Sequence, residues 1–314
     1  REQRALEAEE KIKILERELF AELLETILEY VEEAQSAAEG AAKVDVFASL
    51  AQVAENNRYT RPELIENGTL EIRGGCHPVI EELLDEPFVP NDTEMDKSNS
   101  QVLLITGPNM AGKSTYLRQT ALITLLAQLG SFVPAREASI SVRDQIYTRV
   151  GAMDNLSQGQ STFLVEMTET AKILNNCTDR SLVIFDEIGR GTSTFDGMSI
   201  AWAVIEYLVK NKEKAAFTMF ATHYHELTVL GEKFREVKNL QMAVDKEKND
   251  IVFLYKVVDG KAWESYGVRV AELAGLPHSV VTRAENVLQR IKKNQERISV
   301  RGAHGDDRQM GLLE

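Results

Sequence analysis

The chain has 314 residues, 49 Asp and Glu against 36 Lys and Arg, and a formal net charge of −13. That length suits one large domain with accessory elements, or two domains, and that charge argues against a broad DNA-coating surface. No apolar run reaches the ~18 residues that a membrane span needs, no secretory signal is present, and Cys76 and Cys177 lack metal-ligand spacing, so both are expected to be buried thiols of a cytosolic protein.

The chain starts at Arg1, without Met and inside a helical pattern, and so reads as a piece of something longer. Over residues 2–38, Leu15, Leu19, Leu23, Ile27 and Val31 recur every fourth position with Glu on the other faces. At ~1.5 Å per residue this predicts a rod of ~55 Å. Gly40 is expected to end it, and a second helix over 42–56 is the nearest partner for its apolar stripe. Residues 1–40 hold twelve Glu against five Lys and Arg, which reads as a solvated face. Asn56-Asn57 and Pro62 break the pattern and mark a domain boundary.

From Asn57 the pattern alternates. Strands are expected at 68–73, 101–106, 138–142, 145–150, 181–186, 216–221, 237–243 and 251–257, and helices at 113–129, 162–175, 196–211 and 224–231. Such alternation predicts an α/β sandwich with a substantially parallel sheet. After Gly260 the chain turns helical, over 264–275 and 277–294, with Pro277 suited to a first helical turn. Residues 277–301 carry six Lys and Arg against two Glu. The polar, Gly-containing residues 295–314 read as a flexible tail.

Five stretches carry chemistry. In QVLLITGPNMAGKST (101–115), an apolar strand ends in Gly107, Pro108, Asn109, Met110, Ala111, Gly112, Lys113 and Ser114, and a helix follows. Glycines let backbone N–H groups turn in around a phosphate, the helix N-terminus adds its dipole, and Lys113 adds a full charge. Ser114 would set its hydroxyl on Mg²⁺. In SLVIFDE (181–187) a buried strand ends in two carboxylates, the Walker B pattern: Asp186 for Mg²⁺ and Glu187 to polarise water. LSQGQSTF (156–163) resembles the signature of ABC-type ATPases, in which one subunit's serine caps the γ-phosphate held by the other. Ser161-Thr162 also reads as a helix N-cap. In MFATHYH (219–225), His223 just past a strand suits a γ-phosphate sensor; a zinc pair with His225 lacks a third ligand. GRGTST (189–194) stands at the position of a D-loop.

GPNMAGKST, FDEIGRGTST, FATHYHEL and SYGVRVAELAGLP, in this order, resemble the C-terminal part of the MutS family of DNA mismatch-repair proteins, most of all its bacterial branch. The resemblance runs over nearly the whole chain. It implies the helical end of a lever domain at 1–56, an ABC-type P-loop ATPase domain at 57–262, and a helix-turn-helix dimerisation element at 263–294 that grips the neighbouring subunit. It places phosphates on Gly107–Thr115 with Asn109 near the γ-phosphate, makes His223 the switch residue, and gives Ser161 the trans role, with Ser157 as rival. Phe88, in EPFVPN, matches the residue that stacks on adenine. It implies ATP and Mg²⁺ as cofactors, a homodimer, mismatched DNA and MutL as partners of the intact protein, and a cytoplasmic, nucleoid-associated location. The family's mismatch-reading Phe-x-Glu motif belongs to an N-terminal domain that this sequence lacks, so the chain is expected to hydrolyse ATP and pair without recognising a mismatch.

Two rival functions stand beside this. One is another ABC-type DNA-maintenance ATPase; only forty-odd residues separate Ser114 from Ser157, too few for a coiled-coil insertion. The other is a nucleotide-gated dimerisation scaffold. In the tail, Gln309-Met310-Gly311-Leu312-Leu313 resembles a sliding-clamp docking peptide, with weak binding on the order of micromolar expected.

Overall fold

The computed structural model describes residues 2–151, 161–247, 250–261 and 266–302. The chain divides into two compact units, Arg1–Tyr59 and Thr60–Glu314.

The first unit holds helices α1 (Glu2–Leu28) and α2 (Val31–Asn56). The break falls at Glu29-Tyr30, not at Gly40, which lies inside α2 with open space around it. A single helical glycine costs about 1 kcal/mol against Ala, and Ala37, Ala38, Ala41 and Ala42 favour continuation. Glu32 and Glu33 suit a new helix start at the break. The α1 stripe is not covered as expected: Leu15, Leu19 and Leu23 remain more than half exposed.

The second unit contains two sheets. The smaller has the order β1 (Glu63–Ile65), β5 (Glu137–Ser141), β2 (Leu70–Gly75), β3 (Asn91–Met95), with β1 and β5 parallel and the other pairs antiparallel. A short helix α3 (Ile80–Leu83) lies between β2 and β3 in sequence. The larger sheet has the order β10 (Asp250–Asp259), β9 (Val237–Glu247), β4 (Val102–Thr106), β8 (Phe217–Ala221), β7 (Leu182–Asp186), β6 (Ile146–Arg149). Every pair from β9 to β6 is parallel; β10 joins β9 as an antiparallel edge. The expected parallel sheet is therefore present, beside a second sheet that alternation alone did not announce.

Strand β4 shows how the layers form. It is buried on both faces, which is why it reads as an unbroken apolar run. Leu103 and Ile105 pack with Tyr116, Leu117 and Ile123 of α4 (Lys113–Gln128) and with Leu70 and Ile72 of the small sheet. Val102 and Leu104 pack with Ile173 of α5 (Thr162–Asn176) and with Val204, Ile205 and Leu208 of α6 (Thr194–Lys210). The order is small sheet and α4, large sheet, then α5 and α6.

The region expected as one helix at 224–231 is a tight turn, His225–Val229, followed by α7 (Leu230–Lys233). Helix α8 (Gly267–Leu273) leads through Leu276-Pro277 to α9 (His278–Gly302). Residues 295–302, read as tail, are helical.

Candidate active site

Parallel strands β4, β7 and β8 are neighbours, and each ends at the same sheet edge, where the crevice of an open α/β sheet lies. Beyond β4 the chain turns through Gly107 at φ +141° and Gly112 at φ +97°, conformations that suit glycine. A Cβ on Gly107 would also stand 3.0 Å from Met242 Cβ. Gly112 is the N-cap of α4 and supplies no side-chain cap, so the first-turn N–H groups are available to an anion.

Lys113 folds back over this loop. Its Nζ donates to the Gly107 carbonyl at 2.8 Å and the Pro108 carbonyl at 3.1 Å, and approaches Asn109 Oδ1 at 3.4 Å. It lies 3.5 Å from Glu187 Oε1. Burial lowers its pKa, against the opposing pull of Glu187 and Asp186.

Asp186 ends β7, in register with Ala221 of β8. Its Oδ1 is buried and has no hydrogen-bond partner among the described residues. An uncompensated buried carboxylate oxygen is costly, and with the Ser114 hydroxyl on the neighbouring helix the donor set suits a hard divalent cation. Glu187 follows at φ +60°, a strained position for a non-glycine residue. Its N–H donates to the Ala221 carbonyl at 3.0 Å. Its Oε2 pairs with Arg190, so both carboxylate oxygens face cations.

His223 stands two residues past β8, its ring 4.1 Å from that of Tyr224. Desolvation lowers its pKa below the usual 6.5, partly offset by Glu187, which favours the neutral imidazole. His225 starts the tight turn after it, and its Nδ1 is buried without a hydrogen-bond partner among the described residues.

Of these groups, Lys113, Glu187 and Arg190 line a cleft of about 600 Å³, together with Phe88, Pro108, Asn109, Met110, Gly112, Ser114 and Thr115; Asp186, His223 and His225 do not line it. Ala111 is fully buried behind the loop. Phe88 thus shares a cavity with a loop about twenty residues away. A second cavity of about 240 Å³ is lined by Asn109, Arg190, Thr192 and His223, where GRGTST meets the β8 loop.

Tyr255 also lines the main cleft and was not singled out in the sequence. It sits at an irregularity in β10 with φ +51°. Asn91 holds that irregularity, donating from Nδ2 to the Tyr255 carbonyl at 2.9 Å and accepting the Val257 N–H at 2.8 Å. The run IVFLYKVV reads as an ordinary strand, so no local signal marked it.

Ser161 is not brought into either cavity. It occupies the N-cap of α5, as expected, but is exposed and makes no capping hydrogen bond through its side chain. The GRGTST loop packs on this helix start: a Cβ on Gly191 would stand 2.8 Å from Phe163 Cβ. Ser157 and Gln309–Leu313 lie outside the described residues.

Residues 103–292 match the family model described as MutS domain V. The chain is 54% identical over 294 residues to the DNA mismatch repair protein MutS of Lachnoclostridium phytofermentans, covering 93% of this chain and 32% of that protein. It is 53% identical over 306 residues to that of Salinibacter ruber, covering 97% and 34%, and 52% identical over 313 residues to that of Clostridioides difficile, covering 99% and 33%. The chain spans about a third of the length of these curated relatives. Matched across most of its length by both comparisons, the chain belongs to the MutS family and carries its domain V.

Proposed function

We propose that this chain is a Mg²⁺-dependent ATPase of the ABC type, working at composite sites shared by two copies. The observation that carries the reading is convergence: three neighbouring parallel strands deliver Lys113, the Asp186-Glu187 pair and His223 to one sheet edge, beside a cleft that also contains Phe88. The Gly107–Thr115 backbone and Lys113 would hold the β- and γ-phosphates, with Asn109 near the γ-phosphate and Phe88 against the adenine. Ser114 and Asp186 would hold Mg²⁺, which supplies charge neutralisation on the phosphate oxygens. Glu187 accepts a proton from the attacking water once it leaves its ion pairs. Neutral His223 orients that water without adding positive charge.

Ser161 would complete the site of a second copy, since its hydroxyl is exposed and unused by its own helix. Helices α8 and α9 would form the dimerisation element. The relatives' names say DNA mismatch repair; in proteins of that length, ATP binding would drive movement on mismatched DNA, with MutL downstream and the sliding clamp as a tail partner.

The trans role has a direct test. Ser161→Ala and Lys113→Ala chains are each expected to be inactive alone. Mixed, they form heterodimers with one intact site, so phosphate release rises well above either variant. A mixture no more active than its components would count against shared sites.

A second reading is a nucleotide-gated scaffold with incidental turnover. The pairing of both Glu187 oxygens favours it, because a carboxylate so engaged is a poor base until freed.

A further inference from the structure

Glu166, the fifth residue of α5, is 4% exposed. Carboxylates are rarely so buried unless paired. One of its oxygens accepts the Gly189 N–H, and the other lies 3.6 Å from the guanidinium of Arg149, the last residue of β6. Arg149 is also buried, with Nε 3.1 Å from Glu169 one turn further along α5.

Gly189 connects this pair to the candidate site. It is two residues past Glu187, at φ +94°, and a Cβ on it would stand 2.5 Å from Gly197 Cα. Its carbonyl accepts the Tyr224 hydroxyl at 3.0 Å, and Tyr224 is buried next to His223. The turn from Glu187 to Gly189 therefore contains two residues of positive φ. A strained backbone persists only where its surroundings over-determine it. Here the Glu187 N–H is held by Ala221 on one side and the Gly189 N–H by Glu166 on the other.

Resting on the ATPase reading, we propose that Glu166 is a positioning residue that fixes the Glu187–Gly189 turn to the helix bearing Ser161. The base of one site and the residue offered to the other are then parts of one rigid piece. The bonds run α5 to Gly189 to Tyr224. Displacement of α5 when Ser161 engages a second copy would reach Glu187 of the same chain through a single hydrogen bond. A buried acceptor is needed at position 166, since removing it leaves the Gly189 amide unsatisfied and takes from Arg149 one of its two carboxylate partners.

The test uses the full chain with Glu166→Ala and Glu166→Gln. Glu166→Ala should lower kcat by about 10- to 100-fold, while the Kd of a fluorescent ATP analogue stays within about twofold of wild type. Glu166→Gln keeps an oxygen for Gly189 and should recover most of that loss. Hydrogen exchange at the Gly189 amide should lose protection in the Ala variant and keep it in the Gln variant. Wild-type kcat in the Ala variant, equal loss in both variants, or parallel loss of turnover, binding and thermal stability would each overturn the proposal. If the wild-type chain shows no turnover, the ATPase reading fails, and the exchange result still decides: unchanged Gly189 protection in Glu166→Ala overturns the tie, and selective loss supports it.

Discussion

Replacing Lys113 by Ala is expected to lower ATP turnover by at least about 10²-fold, the usual effect of removing one group that stabilises developing charge. Lys113 is 5% exposed and its Nζ already faces two loop carbonyls. Those carbonyls are neutral, and burial opposes the ammonium's charge. Phosphate oxygens would be better partners, so Lys113 is expected to exchange loop carbonyls for ligand on binding. Some loss of fold stability is expected as well, short of unfolding, because the substitution leaves Glu187 Oε1 without its buried cationic partner while Arg190 still faces Oε2. Phosphate release and nucleotide titration check the first point, and thermal unfolding the second. Loss of turnover accompanied by global unfolding would assign Lys113 a structural role instead.

Glu187→Gln is expected to keep ATP binding and lose hydrolysis by about 10²- to 10⁴-fold, the range of a general base. The amide retains the shape of the side chain at φ +60° but cannot take a proton from water. Its weaker hold on Lys113 and Arg190 should leave nucleotide affinity equal or higher. Light scattering should then show ATP-bound dimers that persist, where the wild type returns to its starting state. The scaffold reading predicts the same dimers but unchanged cycling. Turnover at the wild-type rate would remove Glu187 from its role.

The phosphate loop was legible because its chemistry is contiguous: strand, glycines, Lys113 and helix follow within fifteen residues of 101–115. Asp186 and Glu187 were legible because a strand buried on both faces must be apolar, so carboxylates at its end stand out. Strand β3 was not. Its inward residues include Asn91 and Thr93, which are buried by hydrogen bonding to Tyr255, Tyr116 and Thr120, so NDTEM lacks the apolar alternation of a strand. Strands β2 and β5 fall on the expected 68–73 and 138–142, but with β1 and β3 missed nothing marked them as a separate sheet. Glu166 was invisible for a related reason: on an otherwise amphipathic helix it reads as a solvent-facing acid, and only the loop after β7 shows that it is buried. The helix break at Glu29-Tyr30 shows the opposite error, a glycine read as a stop where four nearby alanines sustain the helix.

Two copies of this chain are proposed to form working ATP sites from the groups gathered on β4, β7 and β8. The most direct measurement is the phosphate-release rate from Mg-ATP as the concentration of the full chain is varied. Composite sites predict a rate that rises with the square of chain concentration while monomers dominate, then becomes linear, and that disappears when Mg²⁺ is chelated. A rate strictly proportional to concentration throughout would contradict shared sites, and no Mg²⁺-dependent release at any concentration would contradict the ATPase itself.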